Sequence, residues 1–235
     1  MHKNNKLAVI GFEEGLAGQV SGWVEESLGY DIVLYINPSD TPLNIDPVTA
    51  KKRPASQFDV PKSNSYKNKK LINKSDFAPF IITNNIHNVL IAISDNHKRK
   101  SIFEYLCLFK EISIISCIHP RAVVMHEAII GSGVIIEPLC YIGYRAEINN
   151  CVHMRAGSHV EHHTVIESYV TIGPKSTIAG NSHVKSFSTL HTNCTIINRI
   201  TVEENNIIGA GAAVINNISE RDSMFVGVPA KLIKA

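Results

Sequence analysis

The sequence predicts two domains of different class. A small α/β domain with a Rossmann-like parallel sheet spans residues 1–117, and a parallel β-helix of hexapeptide repeats spans 118–218, followed by a tail over 219–235. Three observations predict this. Every sixth residue from Ile118 to Val214 is Ile, Val, Leu or Met, seventeen positions without exception. In a chain that is 44% hydrophobic, such a run has odds of about one in a million before the choice of phase is allowed for. Four residues further into each hexad the side chain is small, and thirteen consecutive positions from Ala122 to Cys194 hold only Ala, Val, Cys, Ser or Thr. Before residue 117 the six-residue pattern is absent, and short apolar runs alternate with stretches of helical period.

In the first domain, Leu7-Ala-Val-Ile-Gly11 reads as a buried strand ending in glycine, and the stretch through Val20, Trp23 and Val24 to Leu28 reads as a helix. Asp31 to Ile36 is a second strand. A largely polar insertion of about fifty residues follows, in which the Lys-rich run Lys62 to Lys74, interleaved with Asn and Ser, reads as a solvated loop. Asn88 to Ile93 is a strand, His97 to Lys110 a helix and Ile112 to Ser116 a last strand. Alternating strands and helices argue for a parallel sheet, whose ligands bind beyond the strand C-termini. The loop Gly11-Phe-Glu-Glu-Gly15-Leu-Ala-Gly18 stands where a phosphate cradle would stand. Its spacing is not G-x-G-x-x-G, and Glu13 and Glu14 repel phosphate, so a plain turn and a nucleotide cradle are both open.

In the second domain a strict period of six suits neither a helix nor a simple strand. It suits a coil in which each hexad is one short strand and a turn, three hexads make an 18-residue rung, and Ile130, Ile148, Ile166 and Val184 form one interior column. A single rung cannot bury its own apolar edge, so stacking is what makes the unit stable. The hexads carry no insertion, so functional groups must sit on the coil surface.

The bulk numbers exclude several classes. The net charge is +2 over 235 residues, which leaves no electrostatic footprint for nucleic acid. The apolar run Leu7 to Phe12 is cut by Glu13 and Glu14 and is too short for a signal peptide or a membrane span. The five cysteines, Cys107, Cys117, Cys140, Cys151 and Cys194, form no paired motif and read as reduced residues of a cytoplasmic protein.

The unbroken hexads, Ile118-His119-Pro120 and the terminal Phe225-Val226-Gly227-Val228-Pro229-Ala230-Lys231 resemble bacterial sugar acyltransferases of the sialic acid O-acetyltransferase and nucleotide-aminosugar N-acetyltransferase type. The resemblance covers nearly the whole chain and is strong from about Val89 onward. It implies a left-handed coil, which the period alone does not supply because parallel crossovers are ordinarily right-handed. It also implies acetyl-CoA as co-substrate, a sugar or nucleotide-sugar acceptor, and a homotrimer with active sites at subunit boundaries. In its frame, Val160-Glu161-His162-His163-Thr164-Val165 matches the hexad that carries the general base, and Ile178-Ala179-Gly180-Asn181 follows one rung later.

The chemistry explains the residue types. Transfer of acetyl from a thioester to an amine or hydroxyl needs a base that titrates near neutral pH, and His162 would be that base. The tetrahedral intermediate needs a fixed donor, and the Gly180 N–H, which a thioester can approach closely, would supply it. Cys194 and Cys151 have no matching base, so direct transfer is the simpler route. Relatives carry an acidic residue after the base, where this chain has His163; Glu161 or water would then fix the tautomer, or His163 would itself be the base.

The resemblance places the remaining site residues by position. Thr171 stands for a histidine that contacts coenzyme A, Ala210 and Gly211 for backbone contacts to the pantetheine arm, and Lys231 after Pro229 for a point charge on its phosphates, with Thr192 in the same set. Small residues needed for tight coil turns account for those glycines equally well. Ser94-Asp95-Asn96 followed by Arg99 would hold the nucleotide end of the sugar together with Gly11 and Asn37, while Ala17 falls where relatives carry a sugar-nucleotide-binding histidine. Arg155 replaces a common Asn near the sugar pocket and would read a carboxylate or phosphate of the acceptor.

His126, His153, His159, His183 and His191 read as solvated or hydrogen-bonded surface groups. Two other classes stay open. A zinc hydrolyase of the γ-carbonic anhydrase kind would need three imidazoles converging across an interface, and no pair shows the spacing, so no metal site is assigned. A non-catalytic scaffold or regulatory protein is suggested by the missing acid and the altered glycine loop.

Overall fold

In the computed structural model, residues 5–12, 14–40 and 64–234 are described. The chain divides into two compact units, Met1–Ile115 and Ser116–Ala235, two residues ahead of the boundary read from the pattern.

The first unit is a parallel sheet built from β1 (Lys6–Ile10), β2 (Asp31–Asn37), β3 (Ser65–Tyr66), β4 (Lys69–Asn73), β5 (Asn88–Ile91) and β6 (Ser113–Ile114), in the order β3-β4-β2-β1-β5-β6. All pairs are parallel except the β3–β4 hairpin. Helices α1 (Gln19–Leu28), α2 (Ala78–Thr83) and α3 (Asn96–Leu106) connect the strands. β1 is central, and Leu7, Ala8, Val9 and Ile10 are all fully buried, as expected of a strand covered on both faces.

The Lys-rich run corrects the sequence reading. Lys62 lies outside the described residues, but from Ser65 onward the run is a sheet edge. Lys67 and Asn68 have positive φ at the hairpin turn, and Tyr66 and Leu71 are buried. Lys69 is drawn onto Glu25 at 3.2 Å and Asp31 at 3.6 Å. The apolar pair Leu71-Ile72 was masked by the flanking Lys69, Lys70 and Asn73, although β4 is paired on both sides, with β2 and β3.

The second unit is a left-handed parallel β-helix with three faces. Face 1 carries Cys117–Ile118, Ile135–Ile136, His153–Met154, Thr171–Ile172, Thr189–Leu190, Ile207–Ile208 and Met224–Val226. Face 2 runs from Val123–Val124 to Ala213–Val214, and face 3 from Ile129–Ile130 to Thr201–Val202. Equivalent residues repeat at eighteen, so Ile130, Ile148, Ile166 and Val184 pair in sequence as one column. From Ile136 to Val214 the hexad residues are buried to within 1%. Ile118 and Ile130 are half-buried and Val124 is exposed, since a terminal rung is stacked on one side only.

Two devices turn the chain at each corner. At fifteen successive positions of spacing six, from Glu127 to Gly211, φ is positive, and only Gly133, Gly157 and Gly211 among them are glycine. A left-handed residue reverses the side-chain alternation of the strand and starts the next face. Buried hydroxyls then bridge rungs: Ser182 Oγ donates to Ile197 O at 3.0 Å and accepts from Ile200 N at 3.3 Å, and Ser176 and Ser188 repeat the arrangement. Ion pairs also join rungs, including Glu127 with Arg145 and Lys185 with Glu203. Ser182→Ala is expected to cost about 2 kcal/mol, because it orphans a buried donor, Ile200 N, and a part-buried acceptor, Ile197 O, at once; chemical denaturation measures it.

Residues 219–235, read as a tail, finish the prism. Ile218 pairs with Val202 and Phe225 with Ile208, which shortens the last rung, and Phe225 enters the core. Lys231–Lys234 returns antiparallel along Met224–Val226.

Candidate active site

The corner between faces 2 and 3 stacks His126, Tyr144, His162, Gly180 and Asn198 at spacings of eighteen. His162 is exposed, and its ring lies across the Gly180 backbone. A Cβ placed on Gly180 would fall 2.7 Å from both Cε1 and Nε2 of that ring. On the preceding rung, a Cβ on Gly143 would fall 2.5 Å from His162 N. Glycine is therefore required on both sides for the His162 rung to seat and its ring to lie flat. Ala179 N and Asn181 N donate to Ile196 O and His162 O, whereas among the described residues the Gly180 N–H donates to no protein acceptor. The corner thus presents an imidazole and an unspent amide side by side. Gly180→Ala is expected to displace the ring and lower turnover on the order of tenfold to a hundredfold, with melting nearly unchanged; kcat of the purified variant tests this.

The orienting partner of His162 is decided by geometry. Glu161 Oε1 sits 3.0 Å from His159 Nε2, so Glu161 is engaged elsewhere. His162 Nδ1 lies 3.1 Å from His163 Nδ1 instead. The His163 ring meets Tyr144 edge-on at 5.6 Å, Tyr144 OH donates to Glu127 Oε1, and Arg145 Nε donates to Glu127 Oε2 at 2.7 Å. That ion pair and the Arg145 hydrogen bond hold the Glu127 carboxyl below its ordinary range. Tyr144 and Arg145 escaped the sequence reading, although a spacing of eighteen from His162 and His163 would have found them.

The expected coenzyme contacts gather on a different edge. Thr192, Ala210, Gly211 and Pro229 lie at the corner between faces 1 and 2, Thr171 on face 1, and Lys231 on the strand that closes face 1. Gly211 has φ 68° and a Cβ there would meet nothing within 4 Å, so this edge has room for a slender ligand and is also a coil turn. The whole width of face 2 separates it from His162 and Gly180. One prism does not bring the two sets together.

Arg155 is also on the edge between faces 1 and 2. Its Nε stands 2.8 Å from Glu137 Oε1, and Ala156 N donates to Glu137 Oε2. Glu137 is 1% exposed; burial pushes its carboxyl up and Arg155 pulls it down. Within one protomer, then, Arg155 neutralises a buried acid and lies on the same edge as Thr192 and Gly211, a face away from the His162 corner. His153, expected at the surface, is 1% exposed.

The four cysteines of the β-helix are buried and offer no nucleophile for an acyl-enzyme. Burial pushes Cys194 up, with its Sγ against Ser176 Oγ, and pushes Cys117 up to about 12; Cys151 is fully buried.

In the α/β unit the strand order reverses at β1 and β5, and Gly11 and Ser94-Asp95-Asn96 follow the C-termini of those two strands. That is the switch point at which open α/β sheets bind ligands. Asn37 ends the neighbouring strand and bonds Asn73 Oδ1 at 2.9 Å. Two of these residues also carry bonds within the fold. Asp95 caps α3 by accepting from Lys98 N at 2.8 Å, and Arg99 is 0% exposed and donates to the carbonyls of Ile93 and Ser94. Arg99 therefore braces the turn from beneath. Ala17 is fully buried. Among the described residues no three His, Cys, Asp or Glu side chains are grouped to hold a metal, and no helix is long and apolar enough to cross a membrane.

Comparison with known proteins bears on the fold. A family model described as the GMPPB C-terminal domain matches residues 113–223. No curated protein sequence matches the chain significantly. Among solved structures, a histidine-to-alanine variant of GDP-perosamine N-acetyl transferase from Caulobacter crescentus, in complex with CoA and GDP-perosamine, superimposes with a TM-score of 0.82 at 19% identity over 98% of this chain and 97% of that one. The acetyltransferase domain of PglB from Neisseria gonorrhoeae FA1090, in complex with acetyl coenzyme A, gives 0.78 at 22% identity over 98% and 100%. WeeI from Acinetobacter baumannii AYE gives 0.75 at 21% over 97% and 99%. The two-unit fold is shared along its entire length.

Proposed function

We propose that this protein is an acetyl-CoA-dependent acetyltransferase that acetylates an amino group of a nucleotide-linked sugar in surface-glycan biosynthesis, by direct transfer with His162 as general base. The observation that carries the reading is the exposed imidazole laid across the free amide of Gly180. The shared fold of acetyltransferases solved with CoA, acetyl coenzyme A or GDP-perosamine supports the donor and the acceptor class. It also favours an amine over a hydroxyl as nucleophile.

His162 Nε2 accepts the proton of the attacking amine while the C–N bond forms. The Gly180 N–H donates to the oxygen on which negative charge develops. The tetrahedral intermediate then collapses, the C–S bond breaks, and the proton held by His162 passes to the departing thiolate. Thr192, Ala210, Gly211, Pro229 and Lys231 would hold the coenzyme along their shared edge, with Lys231 against phosphate. Gly11, Ser94 and Asn96, at the switch point of the α/β unit, would hold the nucleotide. The separation of the coenzyme edge from the His162 corner by face 2 supports a homotrimer, in which the coenzyme edge of one prism meets the His162 corner of its neighbour.

Calorimetry with acetyl-CoA, followed by a thiol-release screen over UDP-, dTDP-, GDP- and CMP-linked amino sugars, tests the reading. Saturable heat and acceptor-dependent thiol release are expected. A protein that takes up no acetyl-CoA is the scaffold instead.

A further inference from the structure

We propose that His163 is the positioning residue of the site: it fixes the tautomer of His162, and the two rings act as a neutral imidazole pair that shares one proton through their Nδ1 atoms. The inference rests on the reading of His162 as the base. Successive side chains of a strand point to opposite faces, so neighbours in sequence do not ordinarily meet. Here they do, because His163 occupies the left-handed corner position with φ 57°, a conformation in which histidine is over-represented. The ring centroids come to 5.3 Å at an interplanar angle of 83°, with the Nδ1 atoms 3.1 Å apart.

Two like nitrogens at hydrogen-bond distance hold one proton between them, so one ring donates and the other accepts. If His163 donated, His162 would carry its proton on Nε2, beside Gly180, and would have no lone pair there for the substrate. If His162 donates, Nε2 is the open lone pair and His163 keeps its proton on its own Nε2. Only the second arrangement makes a base, since the hydrogen bond at one ring nitrogen sets the state of the other.

The surrounding charged groups leave no rival for this task. Glu161 bonds His159, Glu127 accepts from Tyr144 and Arg145, the Arg145 guanidinium stacks over Tyr144 at 4.9 Å, and the His126 ring packs on Tyr144 at 4.9 Å. Asn181 beyond Gly180 is uncharged. Among the described residues no carboxylate reaches His162, so the positive charge it gains during transfer is spread onto a neutral ring. A carboxylate at position 163 would favour the charged imidazole. The base must be deprotonated to act, so the acidic limb of kcat/KM in His163→Asp is expected to move to higher pH.

The test uses the full-length protein labelled with ¹⁵N-histidine, with ring signals assigned by loss in His162→Ala and His163→Ala. His162 is expected to show a protonated Nδ1 and a bare Nε2, and His163 the reverse; the opposite tautomers overturn the proposal. His163→Ala is expected to lower kcat roughly tenfold with KM for acetyl-CoA unchanged and with mixed tautomers at His162. His163→Asn, whose amide oxygen can accept from Nδ1 and which suits a left-handed corner, is expected to recover most of that loss. A His163→Ala protein with unaltered kcat and an unaltered His162 spectrum sinks the idea. Absence of thiol release in the unaltered protein would overturn only the acetyl-transfer reading, and the tautomer spectrum would still decide the pairing.

Discussion

His162→Ala is expected to lower kcat by about two to four orders of magnitude while leaving the affinity for acetyl-CoA within about twofold. The first expectation follows from chemistry. Without the imidazole, the nearest group that can take a proton near neutral pH is His163, whose ring packs on Tyr144 and not on Gly180, while Glu161 is held by His159 and burial pushes the Cys194 thiol up. The second follows from the residues proposed to hold the coenzyme, Thr192, Ala210, Gly211, Pro229 and Lys231, none of which His162 bonds or supports within its own prism. Folding should be unaffected, as the ring is exposed and supports no core residue. Steady-state thiol release and calorimetry on the same preparation separate the two expectations. An unchanged rate removes His162 as the base, and lost affinity would mean that the two edges are not independent.

Gly11→Ala should unfold the α/β unit selectively. Gly11 has φ 116°, and a Cβ there would lie 2.2 Å from the carbonyl oxygen of Ala92. Neither strand can give way cheaply: Ala92 N donates to Ile10 O at 2.8 Å and Gly11 N donates to Ile36 O at 2.9 Å, so the contact is clamped from both neighbours. Strain at such a φ costs about 1–3 kcal/mol by itself, and the backbone clash adds to it. A loss on the order of 3 kcal/mol or more is expected, a large share of the stability of a small domain. Trp23, the only tryptophan of the chain, lies in α1, so its fluorescence reports on this unit, whereas the β-helix carries no tryptophan. A Trp23 transition at the wild-type denaturant concentration would show that the β1–β5 junction is softer than its hydrogen bonds imply.

The glycine loop illustrates how far the residues could be read. From sequence, the loop after β1 was open between a turn and a phosphate cradle. The Gly11–Ala92 contact assigns that glycine a structural duty at the place where a ligand would sit, and burial of Ala17 removes any side chain from the loop's far end. The Glu137–Arg155 pair was legible in principle, because the two are eighteen apart on a coil of eighteen. The hairpin from Ser65 to Asn73 was not, since its lysines stand at the turn and around a single buried leucine and resemble those of a loop. Burial of Arg99 was equally hidden, because a cation followed by polar residues reads as surface until backbone carbonyls are found to surround it.

The sequence by itself determined the prism and the meeting of His162 with Gly180. A strict period of six buries its apolar column as a coil of short strands, and a rung of eighteen converts sequence separation directly into distance. Tertiary structure alone decided what individual polar groups bond: His163 rather than Glu161 at the His162 ring, and backbone carbonyls around the Arg99 guanidinium. Periodicity specifies which residues share a corner, but hydrogen-bond partners within a corner depend on side-chain rotamers and on left-handed φ values, and these are settled only when neighbouring rungs close on them.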